Sequence, residues 1–110
     1  MHIALANFYL LSVTGPPMPP DIKASDMEKT VTSKPDVIAF LQRSLDAVKT
    51  ARAQLKPGDL QRNVKVMNKE ATVEGMYLRI IVHANEHMGQ LIAYSRMDGT
   101  PPPWSKTESN

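Results

Sequence analysis

The chain has 110 residues, 42% of them hydrophobic and 5% aromatic, which suits one domain with a mainly aliphatic core. The absence of cysteine excludes disulfides, thiolate nucleophiles and cysteine-containing zinc sites, and it fits the predicted cytoplasmic location. Its 13 basic and 11 acidic residues are interleaved, and without a basic cluster no nucleic-acid partner is predicted.

The first predicted helix covers residues 1–13 and is stopped by Gly15 and the prolines that follow it. It lacks the positively charged start of a signal peptide and is too short to span a membrane, so no membrane partner is predicted. The segment begins inside an apolar pattern without a capping residue. This is typical of the second helix of a bundle, and we expect the first helix to be missing from this chain.

Residues 14–35 contain five prolines and are predicted to form a crossover connector. The second helix begins with Ser33 as N-cap and Asp36 in its first turn, and it continues to about Leu55. Residues 59–71 are ambiguous, because two valines alternate with polar residues over a run that is too short to indicate a sheet.

The third helix has the clearest pattern, from Thr72 as N-cap to about Met97, with Gly99 and three prolines beyond it. One apolar stripe follows the helical period, at Val73, Met76, Tyr77, Ile80, Ala84, Met88, Leu91 and Ser95. We expect Trp104 to fold back onto the helices and residues 105–110 to form a tail. The pattern predicts an all-α helical bundle in a single domain over residues 1–110.

Two histidines on this last helix are the candidate metal ligands. His83 and His87 are four residues apart, so their imidazoles lie one above the other on one helix face and can reach one ion. A third ligand would have to be His2, the only other histidine. The alternative is that the two histidines border the core and only form hydrogen bonds.

Three further polar residues are candidates for lesser roles. Glu86 lies about 100° from His87 around the helix, which favours a surface or inter-helix ion pair over a general base. Asn7 points away from the His2 face and is predicted to be a structural hydrogen-bonding group. Tyr94 is predicted to lie in the core, with a hydroxyl near a substrate as the alternative.

Several stretches of the sequence are similar to one known family: residues 2–9, 26–30, 34–37, 83–99 and 102–104. They resemble the DinB-like family, four-helix bundles related to the YfiT-type metal-dependent hydrolases, and the similarity covers nearly the whole chain. The resemblance implies that His2, His83 and His87 bind a divalent metal ion, zinc or nickel. It also implies a bundle with three of the usual four helices, completed by formation of a homodimer.

The resemblance implies an enzyme of the hydrolase or thiol S-transferase type, acting on a small molecule. Three neutral imidazoles leave one coordination position open, as in catalytic sites, and binding should weaken below about pH 6.5. The absence of a well-placed carboxylate base favours transfer to a low-molecular-weight thiol. The alternative function is a non-catalytic helical dimerisation module that binds no metal. Catalytic residues other than the metal ligands, and the substrate itself, are not identified by the sequence.

Overall fold

Helices form most of the structure, a computed structural model that describes residues 1–105. The helices are α1 (His2–Thr14), α2 (Ala24–Thr30), α3 (Lys34–Ala53) and α4 (Val73–Met97), and the strands are β1 (Asn63–Val66) and β2 (Lys69–Thr72). No helix within these residues is long and apolar enough to cross a membrane. The all-α fold class is confirmed. The extent of the domain over residues 1–110 stays a prediction, and residues 106–110 of the predicted tail lie outside the described part.

The first helix, α1, packs against both α3 and α4 and contributes to two hydrophobic clusters. Its Ala4 and Phe8 pack with Phe40 of α3, whereas its Leu10 and Leu11 lie in the cluster that includes the first turns of α4. A helix that is buried on two sides has no wide polar face. This arrangement explains why the sequence of α1 is apolar almost throughout.

A polar pair lies inside this interface between α1 and α3. The side chains of Asn7 and Ser44 are both fully buried, and the Asn7 Nδ2 group donates a hydrogen bond to Ser44 Oγ at 3.1 Å. The Ser44 hydroxyl in turn donates to the Leu41 carbonyl at 2.8 Å. Because buried polar groups need such partners, the pair favours one register of α1 along α3. The predicted structural role of Asn7 is confirmed.

Both predicted helix N-caps are confirmed. Ser33 Oγ accepts a hydrogen bond from the Asp36 amide at the start of α3, and Thr72 Oγ1 accepts one from the Gly75 amide at the start of α4. The Thr72 cap marks where α4 begins.

The connector contains structure that the sequence did not predict. Residues 24–30 form α2, and Ile22 just before it is buried in the cluster with Phe8 and Phe40. Asp21 accepts two hydrogen bonds from the Arg43 guanidinium, at 2.5 and 2.8 Å, which fastens the connector to α3. A single buried isoleucine between prolines gives no periodic signal, and so these contacts could not be predicted from the pattern.

The ambiguous segment forms a β-hairpin, although its short run of alternating residues did not indicate a sheet. Strands β1 and β2 are antiparallel, with Val66 paired to Lys69, and two residues connect them. Met67 and Asn68 both have positive φ angles, 50° and 64°, as a type I′ turn requires.

The second half of α4 and its flank are exposed, and the prediction that Trp104 folds back is wrong. The apolar stripe is buried only in its first half, because Met88 and Leu91 are 51% and 59% exposed. Trp104 is 70% exposed and does not fold back onto the helices. Within residues 1–105, no element covers the second half of α4 on that side.

Candidate metal centre

The three histidines come together where the start of α1 meets the middle of α4. His2 is the first residue of α1, and its helical turn is closed by the Leu5 amide, which donates to the Met1 carbonyl at 3.0 Å. His83 and His87 follow each other on one face of α4. One ligand nitrogen from each ring lies within 4.8 Å of the other two. His2 therefore faces the His83–His87 pair, as the functional prediction requires.

The Nε2 atoms of the three rings lie close together. The distance between Nε2 of His83 and Nε2 of His2 is 3.1 Å, and the distance between Nε2 of His83 and Nε2 of His87 is also 3.1 Å. Four-coordinate zinc, with Zn–N bonds of about 2.0–2.1 Å, holds neighbouring nitrogens about 3.3 Å apart. The spacing of these atoms thus fits coordination of one ion by three imidazoles.

The side chain of Gln90 sets the tautomer of one ring. His87 Nδ1 lies 2.9 Å from Gln90 Oε1, which can only accept, so Nδ1 carries the proton and donates it. The Nε2 atom of His87 is then left with a free lone pair, as a metal ligand requires. A polar group that fixes a histidine in this way is typical of the second shell of metal sites.

Hydrogen bonding alone does not account for the cluster. His83 Nε2 contacts two other Nε2 atoms, yet it carries either one proton or one lone pair. If it donates to His87, it cannot also accept from His2. If it accepts from His2, it faces the lone pair of His87. In either case one contact is left unsatisfied, whereas a cation would satisfy all three nitrogens.

The surroundings of His83 favour its neutral form. Burial lowers the pKa of the His83 imidazole below its ordinary value, and the neighbouring charges of His87, His2 and Arg79 lower it further, against a smaller opposite effect of Glu86. Its Nδ1 atom is buried and has no hydrogen-bond partner among the described residues. A second proton on this ring would therefore be poorly solvated, and the neutral form is the one that binds metal.

The remaining candidates do not join the cluster. Glu86 is exposed and forms no ion pair within residues 1–105, so its predicted ion pair is wrong. Tyr94 is 61% exposed, which contradicts its predicted place in the core. Gln90 was missed by sequence reasoning as a functional residue. Its only signal is its position three residues after His87, on a neighbouring part of the helix surface.

Two grooves flank the histidines. One has a volume of about 640 Å³ and extends from His83 along α1 and the hairpin. The other, of about 350 Å³, is lined by His2, His87, Gln90 and Tyr94 among others. A cluster of three imidazoles between two grooves leaves room for a small molecule to approach an ion held there.

A helical bundle with three converging histidines at one end defines the class of this protein, a helical protein with a candidate metal centre. A family model of the DinB superfamily matches residues 1–91, and the chain belongs to that superfamily. No curated protein and no solved structure matches the chain.

Gln90 offers a test of the second shell. Replacing Gln90 with leucine should weaken zinc binding about 10- to 100-fold, because His87 loses the acceptor that fixes its ring and its tautomer. Isothermal titration calorimetry at pH 8 measures this. The matched control is Gln42→Leu, which removes an amide that donates to Asp46 on α3 and should leave zinc affinity unchanged. Equal affinities for the two variants would contradict the role of Gln90.

Proposed function

We propose that this chain is a metal-dependent enzyme in which His2, His83 and His87 bind one divalent ion. The observation that carries the proposal is the convergence of three Nε2 atoms, with two separations of 3.1 Å. Nitrogen ligands suit zinc and nickel, which are the proposed ions. Three protein ligands are the number found in catalytic rather than structural zinc sites.

The proposed reaction is hydrolysis or transfer to a thiol, with transfer favoured. A bound divalent ion lowers the pKa of a coordinated water or thiol and polarises a carbonyl. Hydrolysis commonly also uses a general base close to the ion. Within residues 1–105 the histidine cluster includes no carboxylate, and Glu86 is exposed on α4. Transfer to a low-molecular-weight thiol does not need this general base, because the ion itself lowers the pKa of the bound thiol.

A second candidate function is a helical dimerisation module without catalysis. Several apolar side chains of α4 are between 47% and 59% exposed, namely Leu78, Ile81, Val82, Met88 and Leu91. Association of two copies would cover part of this surface, and we propose a homodimer for either function. The module differs from the enzyme in that it would bind no metal.

Metal analysis together with the solution mass tests the proposal. The untreated protein, or protein dialysed against zinc or nickel at pH 8, should contain about one ion per chain of 12.2 kDa. Light scattering should give twice the mass of one chain. Because protons compete with the ion for the imidazoles, ion content should fall as the pH is lowered from 8 into the acid range.

The outcomes separate the two functions. A protein that takes up neither zinc nor nickel at pH 8 contradicts the enzyme, and a metal-free dimer would support the module. An ion content that is the same at pH 8 and in strongly acidic solution would contradict coordination by histidine, since protonated imidazole has no lone pair left for the ion.

A further inference from the structure

The larger groove has apolar walls from three elements. Its lining includes Tyr9 and Leu10 of α1, Val66 of β1 and Met76 of α4, together with His83 of the histidine cluster. Its volume of about 640 Å³ is in the range of small-molecule sites. This space, the hairpin groove, is therefore large enough to hold a molecule that also reaches the histidine cluster.

The charged side chains that line the hairpin groove are all basic. Arg79 and Lys69 line it together with His83, and no acidic residue of the described part of the chain lines it. Arg79 precedes His83 by one turn of α4, so the guanidinium is on the same side of the helix as the imidazole. Neither Arg79 nor Lys69 forms an ion pair within residues 1–105. Two cations without an acidic partner favour an anionic group in the groove.

Met67, at the tip of the hairpin, adds a second observation. It has a φ angle of 50°, a conformation in which asparagine or glycine is the preferred residue of a type I′ turn. Its side chain is 81% exposed, yet it lines the hairpin groove. A large apolar residue in a strained position at the edge of a groove is better explained by contact with a ligand than by stability.

We infer that the hairpin groove binds a small organic anion with an apolar body. Arg79 and Lys69 hold the anionic group, and Met67 covers the apolar part. This inference names the substrate class of the proposed enzyme. That the bound anion is a substrate rests on the proposed function. Binding of the anion itself does not require a metal, because none of these three side chains belongs to the histidine cluster.

The test compares two probes that differ in charge, 4-phenylbutyrate and 4-phenylbutanol, on the full chain after removal of metal with a chelator. At pH 8 and low salt, the acid should bind about tenfold more tightly than the alcohol. Chemical shifts of the Met67 and Met76 methyl groups in NMR spectra should change on titration with the acid. Arg79→Gln should clearly reduce the preference for the acid, since only Lys69 then remains to hold the anionic group, and Arg79→Lys should retain more of the preference than Arg79→Gln.

The control is Arg96→Gln, which removes the same charge from the same helix outside the groove and should keep the preference. Met67→Asn should weaken the binding of both probes. Equal affinity for acid and alcohol, or the same loss of preference in Arg79→Gln and Arg96→Gln, would overturn the inference.

Zinc titration of the same samples separates this inference from the proposed function. Zinc uptake without a preference for the acid overturns the anion site only. A preference that depends on Arg79, in a chain that takes up neither zinc nor nickel, supports the anion site and contradicts the metal chemistry.

Discussion

Replacing His83 with alanine should lower zinc affinity by two to four orders of magnitude. His83 is the candidate ligand whose Nε2 contacts both other Nε2 atoms, so within residues 1–105 the variant leaves only His2 and His87 in the cluster. Structural zinc sites bind with about 10–16 kcal/mol, and on that scale the loss of one ligand of three corresponds to about 3–5 kcal/mol. Competition with a chromophoric chelator at pH 8 measures the loss.

The variant should otherwise keep its fold. Alanine is the best helix former, and the buried contacts of α4 come from its first two turns, before residue 83. Circular dichroism should therefore show the same helix content for His83→Ala as for the wild-type protein. The control is Asn85→Ala, an exposed position two residues further along α4, which should bind zinc normally. Unchanged affinity in His83→Ala would place the ion elsewhere.

Replacing Phe8 with alanine should reduce the free energy of unfolding by about 3–5 kcal/mol. Its side chain is only 4% exposed, and its ring centroid lies 5.6 Å from that of Phe40 on α3. The Arg43 guanidinium also lies 5.7 Å from the Phe8 ring centroid, and so a cation–π contact is lost as well. Urea denaturation followed by circular dichroism measures the change.

This substitution should also weaken zinc binding, because α1 carries His2 and Phe8 holds α1 against α3. The control is Ile38→Ala on α3, where the side chain is 56% exposed and the expected loss is below about 1 kcal/mol. If Phe8→Ala and Ile38→Ala had equal effects, the packing of α1 against α3 would not be a main source of stability.

Features that depend on neighbouring residues along the chain were predictable. The caps Ser33 and Thr72 act within their own helices, and the separation of His83 from His87 follows from helix geometry alone. The approach of His2 to that pair joins positions 81 residues apart, and it followed only from the resemblance to a family. Periodicity carries no information about such a contact.

Burial along α4 shows a different limit. Tyr77 and Leu91 follow the same helical period, but Tyr77 is 9% exposed and Leu91 is 59% exposed. The pattern identifies a face of the helix, whereas burial depends on whether another element lies over that face. The role of Gln90 was missed for a related reason. An exposed glutamine in a sequence gives no sign of a function, and its contact with the His87 ring is seen only in the structure.

The candidate ligands come from the first and the last α-helix of the chain, and this has a consequence for how the protein unfolds. His2 and His83 are 81 residues apart in sequence, so an ion held by both would tie the first helix to the last and close a loop through almost everything between them. A crosslink of this span reduces the entropy of the unfolded chain by an amount worth about 4 kcal/mol, as long as the ion stays bound. The same ion would then stabilise the whole bundle, and its removal by a chelator would lower the stability of regions far from the histidines.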